Sequence, residues 1–498
     1  MQELVSFKPL IIVLTSAIAS LVILSNDKRP NLREAITFIA AGIKLYLLGT
    51  LTPWILQGNV YVVQLSEFIP AMPIAFKVDA LGLLFAYVAS SLWILTTMYS
   101  IGYMRHLKEQ NQTRYFACFA VALAATMGVS FSANLLTMYL FYEVLSLSTY
   151  PLVAHHQGLD ARTGSRKYLT YLLGTSVAFV LPTMIITYQI SGSLDFSATG
   201  VFPAGVSSTT LSVLLLLFIF GFAKGGLMPF HSWLPGAMVA PTPVSSLLHA
   251  VAVVKVGVFS IVRIITGIFG IELLSSTHLS TLICIIAGFT VITASLIALS
   301  QDNLKRLLAF STVGQLSYII LGAGIANSLG VQGSILHIAM HAFGKITLFF
   351  CAGAIYAATG KKYVSQMIGI GKQMPFTLAA FSIGALSIIG LPPAGGFISK
   401  WYMVLGASGS ENQWVLLIYL TSTLLNAFYF LPIIYKAFFM TNADGDFSSG
   451  IKEAPLFCFI PPVITAIITL LLLVNPQPFF DLSHQFVSTL DVLPIIGK

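Results

Sequence analysis

The chain has 498 residues, of which 57% are hydrophobic and only 8% charged, against about a quarter charged in a soluble domain. Too little polar surface remains to clothe a water-soluble body, which leaves a polytopic membrane protein. The net charge of +8 has no basic soluble segment behind it, which excludes nucleic acid as a partner.

Apolar stretches of about 20 residues, the length that crosses the hydrocarbon core, recur from near residue 8 to near residue 474, about fourteen in all. Only helices satisfy their own backbone over such lipid-facing runs, so the expected fold is an all-α polytopic bundle. The first stretch, LIIVLTSAIASLVIL, is followed by Lys28, Arg29 and Arg33 rather than preceded by a strong positive cluster. It reads as a retained helix and not as a cleaved signal. Further along, Lys and Arg gather in alternate connections: Arg105, Lys108 and Arg114; Arg162, Arg166 and Lys167; Lys305 and Arg306; Lys361, Lys362 and Lys372. The positive-inside rule makes those loops cytoplasmic and turns the loops with Glu67, Asp195, Glu272 and Glu411 outward, so both termini are expected outside a plasma (inner) membrane. Cys118, Cys284, Cys351 and Cys458 lie far apart in apolar segments. With no CxxC they read as packing residues rather than as ligands of zinc or an iron–sulfur cluster.

Few ionisable groups fall inside the spans. Glu143 sits in NLLTMYLFYEVLSLSTYPLV and Lys224 in LLLLFIFGFAKGGLMPF; His249 and Lys255 share VSSLLHAVAVVKVGVF; His337, His341 and Lys345 share ILHIAMHAFGKITLFF; Lys400 follows LPPAGGF. A charge at the bilayer centre costs about 2.5 to 3.5 kcal/mol on insertion scales, so such groups face a cavity or a partner, and several in series suggest a proton or ion path. The alternative is polar glue between helices. His337, His341 and Lys345 step by four, which stacks them on one face with a drift of about 80° over two turns. An HxxxH pair also binds zinc, but Ile338 stands where a metalloprotease has its glutamate, so no metal is expected. Two stacked haems would need histidines spaced further than one turn, and the lysines would be idle; no cofactor is expected.

Lys224 precedes Pro229, and Lys400 follows Pro392 and Pro393. Proline has no N–H, so Pro229 leaves the Gly225 carbonyl open, and Pro392 and Pro393 leave those of Ile388 and Ile389 open. Such backbone persists in a membrane where protein or a wet cavity satisfies it; packed proline kinks are the plainer reading. The two breaks fall about five helices apart, in the seventh and twelfth spans, and an odd repeat inserts its second copy upside down. The expected division is residues 1–114 with three N-terminal helices, 115–270 and 271–440 as two inverted five-helix repeats, and 441–498 with the last helix and tail. Lysine suits a switch because desolvation lowers its pKa while a nearby carboxylate raises it. With Glu143 close, Lys224 holds its proton; with Glu143 apart, the proton leaves. A static ion pair would need no broken helix.

The run FAKGGLMPFHSWLPGAMVAPTPVSSLLHAVAVVKVGVF strongly resembles the proton-conducting antiporter-like subunits of respiratory complex I, membrane-bound hydrogenases and Mrp-type multisubunit sodium/proton antiporters. FKVDALGLLF, LKRLLAFSTVGQLSYI, LHIAMHAFGKITLFF and IIGLPPAGGFISKWY carry the likeness over most of the chain. The resemblance implies fourteen helices with two inverted five-helix units. It implies that Glu143 is the fifth-helix glutamate, Lys224 its partner on the broken seventh helix, His249 and Lys255 the eighth-helix relay, Lys345 with His341 the central connection and Lys400 the end of the broken twelfth. Lysine at this last site is usual in the D subunit of Mrp antiporters. Where many complex I members read WLPDAMEAPTP, Gly236 and Val239 replace the two acids, which tilts away from a standard complex I subunit.

The expected function is proton and cation (Na+) translocation within a multisubunit antiporter of the cell membrane, alongside other membrane subunits. A proton-pumping subunit of a redox-driven complex is the alternative, and a passive scaffold the plainest. No nucleotide loop or nucleophile constellation indicates redox or hydrolytic chemistry of the chain's own.

Overall fold

The computed structural model describes residues 2–69, 72–440 and 450–490; residues 441–449 and 491–498, at the edge and end of the expected C-terminal segment, lie outside the described residues. Among the described residues, eleven helices are long and apolar enough to cross a membrane. They are α1 (Lys8–Ser25), α2 (Pro30–Leu56), α3 (Ala80–His106), α4 (Gln112–Ser130), α6 (Leu159–Ser191), α8 (Thr242–Phe269), α9 (Leu279–Leu299), α10 (Leu304–Gly324), α11 (Ser328–Thr359), α13 (Val415–Phe439) and α14 (Leu456–Val474). Helix α5 (Leu135–Val153) and two interrupted helices complete fourteen passes. The first interrupted helix, α7, runs over Ser208–Gly221, and the second, α12, comes as Pro375–Ile389 and Gly396–Ser408. An amphipathic α15 (Gln477–Ser488) follows.

Side-chain caps set several starts. Asp79, Asn134, Asn303 and Asn327 accept from Gly82, Thr137, Arg306 and Gly330 N–H at the heads of α3, α5, α10 and α11, satisfying amides that a helix N-terminus leaves open. The all-helical expectation holds for the passes, but a small sheet lies outside them. Strand β1 (Glu3–Val5) pairs parallel with β2 (Val60–Ile69), which pairs antiparallel with β3 (Met72–Val78) in the register Tyr61 to Val78. The side chain of Glu67 lies outside the described residues.

The bundle has two chemically distinct ends. At one, the basic connections meet: Arg33 reaches Thr113 and Gln112, Arg105 binds Glu34 and Asn31, and Leu304 N–H donates to the Lys362 carbonyl. At the other lie the sheet, the Asn134 to Asp195 bridge, Ser197 N–H on the Gly267 carbonyl, and Arg263 on Asp79. Gly58 at this end packs against Gln485, so α15 sits there with β1.

Burial sorts the helices by depth in the bundle. The most apolar stretches of α8, α10 and α11 are buried throughout, whereas those of α2, α6 and α13 are only one-third buried. Helix α13 shows why: Leu417, Leu420, Leu424, Phe428 and Leu431 are exposed along one face, with the three-and-four spacing of a single apolar stripe. Of the buried helices, α8 carries His249 and Lys255 and α11 carries His337, His341 and Lys345, whereas Glu143, Lys224 and Lys400 belong to α5, α7 and α12.

Candidate ion-translocation site

Helix α7 unwinds earlier than Pro229 requires. It ends at Gly221, and Ala223–Gly225 make a single 3₁₀ turn before Gly226 adopts a φ of +72°. Lys224 therefore stands in the break itself, fully buried. Its Nζ donates to the Tyr142 carbonyl (2.9 Å) and to Ser146 Oγ (2.6 Å), and lies 3.1 Å from the Tyr142 ring centroid. Trp233 Nε1 donates 2.9 Å to the Ala223 carbonyl, which fixes the unwound strand from the other side. Helix α8 passes the break at Gly257, where an added Cβ would lie 2.2 Å from Gly225 N and from the Lys224 carbonyl carbon. Only glycine permits that approach.

Glu143 shares α5 with both lysine acceptors, yet its two carboxylate oxygens are buried and have no hydrogen-bond partner among the described residues. Lys224 and Glu143 form none of the ion pairs within 4.0 Å. The Lys224 ammonium rests instead on Tyr142 and Ser146, within Coulombic range of Glu143.

The second break is built differently. Lys400 Nζ donates to the carbonyls of Ile388 (2.7 Å) and Ile389 (3.1 Å) and lies 4.4 Å from the Tyr318 ring centroid. These are the two carbonyls that Pro392 and Pro393 deprive of amide donors. Gly390, with a φ of +91°, ends the first half of α12; a Cβ there would lie 2.5 Å from Lys400 Cδ.

Between the breaks, Lys255 Nζ and His341 Nδ1 lie 2.5 Å apart. The His341 and His337 ring centroids are 5.7 Å apart. His337 Nδ1 is 2.8 Å from Ser399 Oγ, next to Lys400 in sequence, and its Nε2 is 3.1 Å from Gln315 Oε1. A row of ionisable and polar side chains thus runs from Lys255 past both histidines to Ser399, the residue beside Lys400. Lys345 leaves the histidine stack: its Nζ donates 2.8 Å to Ser311 Oγ on α10, which Tyr429 also contacts at 2.9 Å. His249 packs its ring 4.7 Å from that of Phe349, and neither ring nitrogen has a hydrogen-bond partner. Among the described residues no three histidine, cysteine or carboxylate side chains come together to hold a metal ion.

Residue types alone gave no weight to Tyr142, Ser146, Ser311, Gln315, Tyr318 and Ser399, the neutral partners of the charged groups. Ser311, Gln315 and Tyr318 recur at i, i+4 and i+7 in an apolar span, a polar stripe that marks one helix face. Lys44 also escaped notice, although it is fully buried mid-helix in α2 beside Trp93.

Residues 132–426 match the family described as NADH:quinone oxidoreductase/Mrp antiporter, TM. The chain belongs to this family. Residues 69–116 further match the N-terminus of chain 5 of NADH-ubiquinone oxidoreductase (complex I). Two members of the family are similar over most of their length. The N subunit of the NADH-quinone oxidoreductase of Desulforudis audaxviator is 32% identical over 80% of each chain. The D subunit of the Na(+)/H(+) antiporter of Alkalihalophilus pseudofirmus is 28% identical over 92% of each. Two solved structures share the fold. The membrane-bound sulfane sulfur reductase, an archaeal respiratory complex, has a chain that superposes with a TM-score of 0.86 at 24% identity, covering 97% of this chain and 98% of that one. The Mrp complex of a Dietzia species gives 0.85 at 20%, with the same coverage. The shared fold thus extends over nearly the whole of this chain.

Proposed function

We propose that this chain is the proton- and cation-translocating subunit of a multisubunit Na+/H+ antiporter and works among other membrane subunits. Protons move along a buried line at mid-depth: Glu143 and Lys224 at one end, Lys255, His341 and His337 in the middle, Lys400 at the other, with His249 and Lys345 beside it. Residues 115–270 and 271–440 act as two opposed five-helix units, each with one broken helix and a buried lysine at or near the break, Lys224 and Lys400. The contact between Lys255 and His341 at 2.5 Å carries the reading: a lysine and an imidazole at that distance, both sealed from lipid, exchange a proton without bulk water. A packing role would not call for an ionisable pair there.

The test is sodium-dependent pH recovery in vesicles from an antiporter-deficient host expressing the whole gene cluster, comparing wild type with Lys224→Ala. Loss of recovery with the assembly intact supports the reading; full recovery in the variant overturns the part given to Lys224. A second reading, a proton pump in a redox-driven complex, draws support from the 32% identity to a quinone oxidoreductase subunit. Against it stand Gly236 and Val239, in place of the two acids found in many complex I relatives. Proton movement that answers to an electron donor and ignores sodium would favour the pump.

A further inference from the structure

Lys44, Lys224, Lys255, Lys345 and Lys400 are all buried, yet among the described residues none of them forms an ion pair within 4.0 Å. Aromatic rings stand where carboxylates would be expected. The ammonium lies 3.1 Å from the Tyr142 ring centroid at Lys224, 4.4 Å from Tyr318 at Lys400, 4.9 Å from Trp93 at Lys44 and 5.8 Å from Phe430 at Lys345. A ring face attracts a cation within about 6 Å, and the attraction grows when water is excluded. The two shortest of these contacts fall at the two broken helices.

Both of those rings are held in place by more than packing. Tyr142 grips Lys224 at both ends: its hydroxyl accepts from the Lys224 N–H at 3.2 Å, in the unwound turn, while its carbonyl accepts from Nζ at 2.9 Å and its ring face lies against the same nitrogen. Phe222 stands edge-on to the Tyr142 ring at 5.1 Å and sets its plane. The Tyr318 hydroxyl donates to the Tyr419 carbonyl at 3.3 Å, and the two rings lie 5.1 Å apart. Tyr318 also has the His337 ring 6.1 Å away, so it stands between the histidines and Lys400. Each tyrosine comes from the helix two passes ahead of the broken helix it serves, α5 for α7 and α10 for α12. The same device is therefore built twice, around two breaks whose backbones differ.

We propose that Tyr142 and Tyr318 are positioning residues that hold the two ammonium groups on neutral ring faces and so keep each lysine off a carboxylate and able to pass its proton on. The inference rests on the proton-translocating reading above and adds how the lysines are held between transfers. In a water-free interior the attraction between opposite charges is many times stronger than in water, so an ammonium locked onto Glu143 would leave it slowly. A ring binds more weakly and takes no proton, and its hold lasts only while the lysine is charged. Glu143 follows Tyr142 directly in sequence, which sets the anion and the ring side by side as alternative rests for Lys224.

Fluorine withdraws electrons from a ring face with little change in its shape, so it separates a cation rest from a packing contact. Tyr142→Phe and Tyr318→Phe serve as baselines, and phenylalanines with one, two and three fluorines replace them in the whole assembly reconstituted in vesicles. Turnover is read as proton movement driven by sodium or, where sodium drives none, by an electron donor. It should fall stepwise with each fluorine, to about a tenth of the baseline with three. Fluorinated tryptophans at Trp93, whose ring faces Lys44 outside the row, should leave turnover unchanged. Lysine-labelled NMR of the same samples reads the ring-current displacement of the Lys224 side-chain signals, assigned by their loss in Lys224→Arg, and this displacement should shrink along the series. Because it reports the ring contact whether or not protons move, it separates failure of this inference from failure of the translocating reading. Lysine signals that ignore the ring, turnover that stays level while the signals move, or an equal fall with Trp93 would each overturn the proposal.

Discussion

Lys400 shows how one side chain can repair a backbone that its own helix has broken. Its ammonium occupies the carbonyls of Ile388 and Ile389, so Lys400→Ala strands two buried acceptors at roughly 1–3 kcal/mol each. The expected result is a clear fall in the thermal unfolding midpoint of the purified assembly, with much of it restored by Lys400→Arg. Glu143 should behave in the reverse way. Its oxygens have no hydrogen-bond partner to lose, only their Coulombic attraction to Lys224, so Glu143→Gln should lower the unfolding midpoint less than Lys400→Ala does while abolishing transport, read by parallel melting and vesicle assays. At the basic end, Glu109 and His156, 3.5 Å apart, both take up protons less readily in the folded chain than when unfolded. Their contribution to stability is present above the unfolded imidazole value of about 6.5 and is lost as pH falls through that value and then through the carboxylate range. Melting curves from pH 8 to pH 4 should show this loss; in Glu109→Gln the part across the carboxylate range should disappear, while the part across the imidazole range should grow.

At the scale of elements, the two breaks depend on close approach as much as on proline. Helix α8 crosses the unwound turn at Gly257, where a Cβ would overlap the Lys224 peptide. Gly257→Ala should displace Lys224 from Tyr142 and Ser146 at a cost of about 1–3 kcal/mol and stop transport. Gly42→Ala on α2, where a Cβ meets nothing within 4 Å, should leave both melting and transport as they are. Sequence made the breaks legible through Pro229, Pro392 and Pro393, including which carbonyls at the second break would lack donors. It could not show that α7 unwinds already at Phe222, because that depends on Gly257 of another helix. Nor could it reveal that Lys345 turns to Ser311 instead of the histidine stack, since a fourfold step fixes the face of a helix but not the neighbour opposite. The neutral partners Tyr142 and Ser146 were hidden for the same reason: serine and tyrosine are ordinary residues in a span until a cation is placed beside them.

For the whole molecule, about fourteen passes were expected from apolar stretches, and eleven of the helices among the described residues meet the length and hydropathy that a bilayer demands. The small sheet was not, since its strands lie outside the passes, where that constraint no longer acts. The gathering of basic loops at one end and of Asp195 at the other gives a direct test. Lys362→Cys and Asp195→Cys should react with an impermeant thiol reagent from opposite sides of oriented vesicles, and labelling of both from one side would refute the alternation. The lateral course of the buried line has an electrical meaning as well. Lys345 lies mid-way along α11, and Lys224 and Lys400 stand at or near the breaks within their own passes, so on the proposed route a proton handed between these groups travels parallel to the membrane and does almost no work against the membrane voltage. Of the roughly 2.3 kcal/mol per 100 mV attached to each elementary charge that crosses, nearly all must fall where protons enter and leave the row. Voltage sensitivity of turnover is therefore a property of the mouths of the bundle, and the line between the two broken helices serves as an equipotential wire.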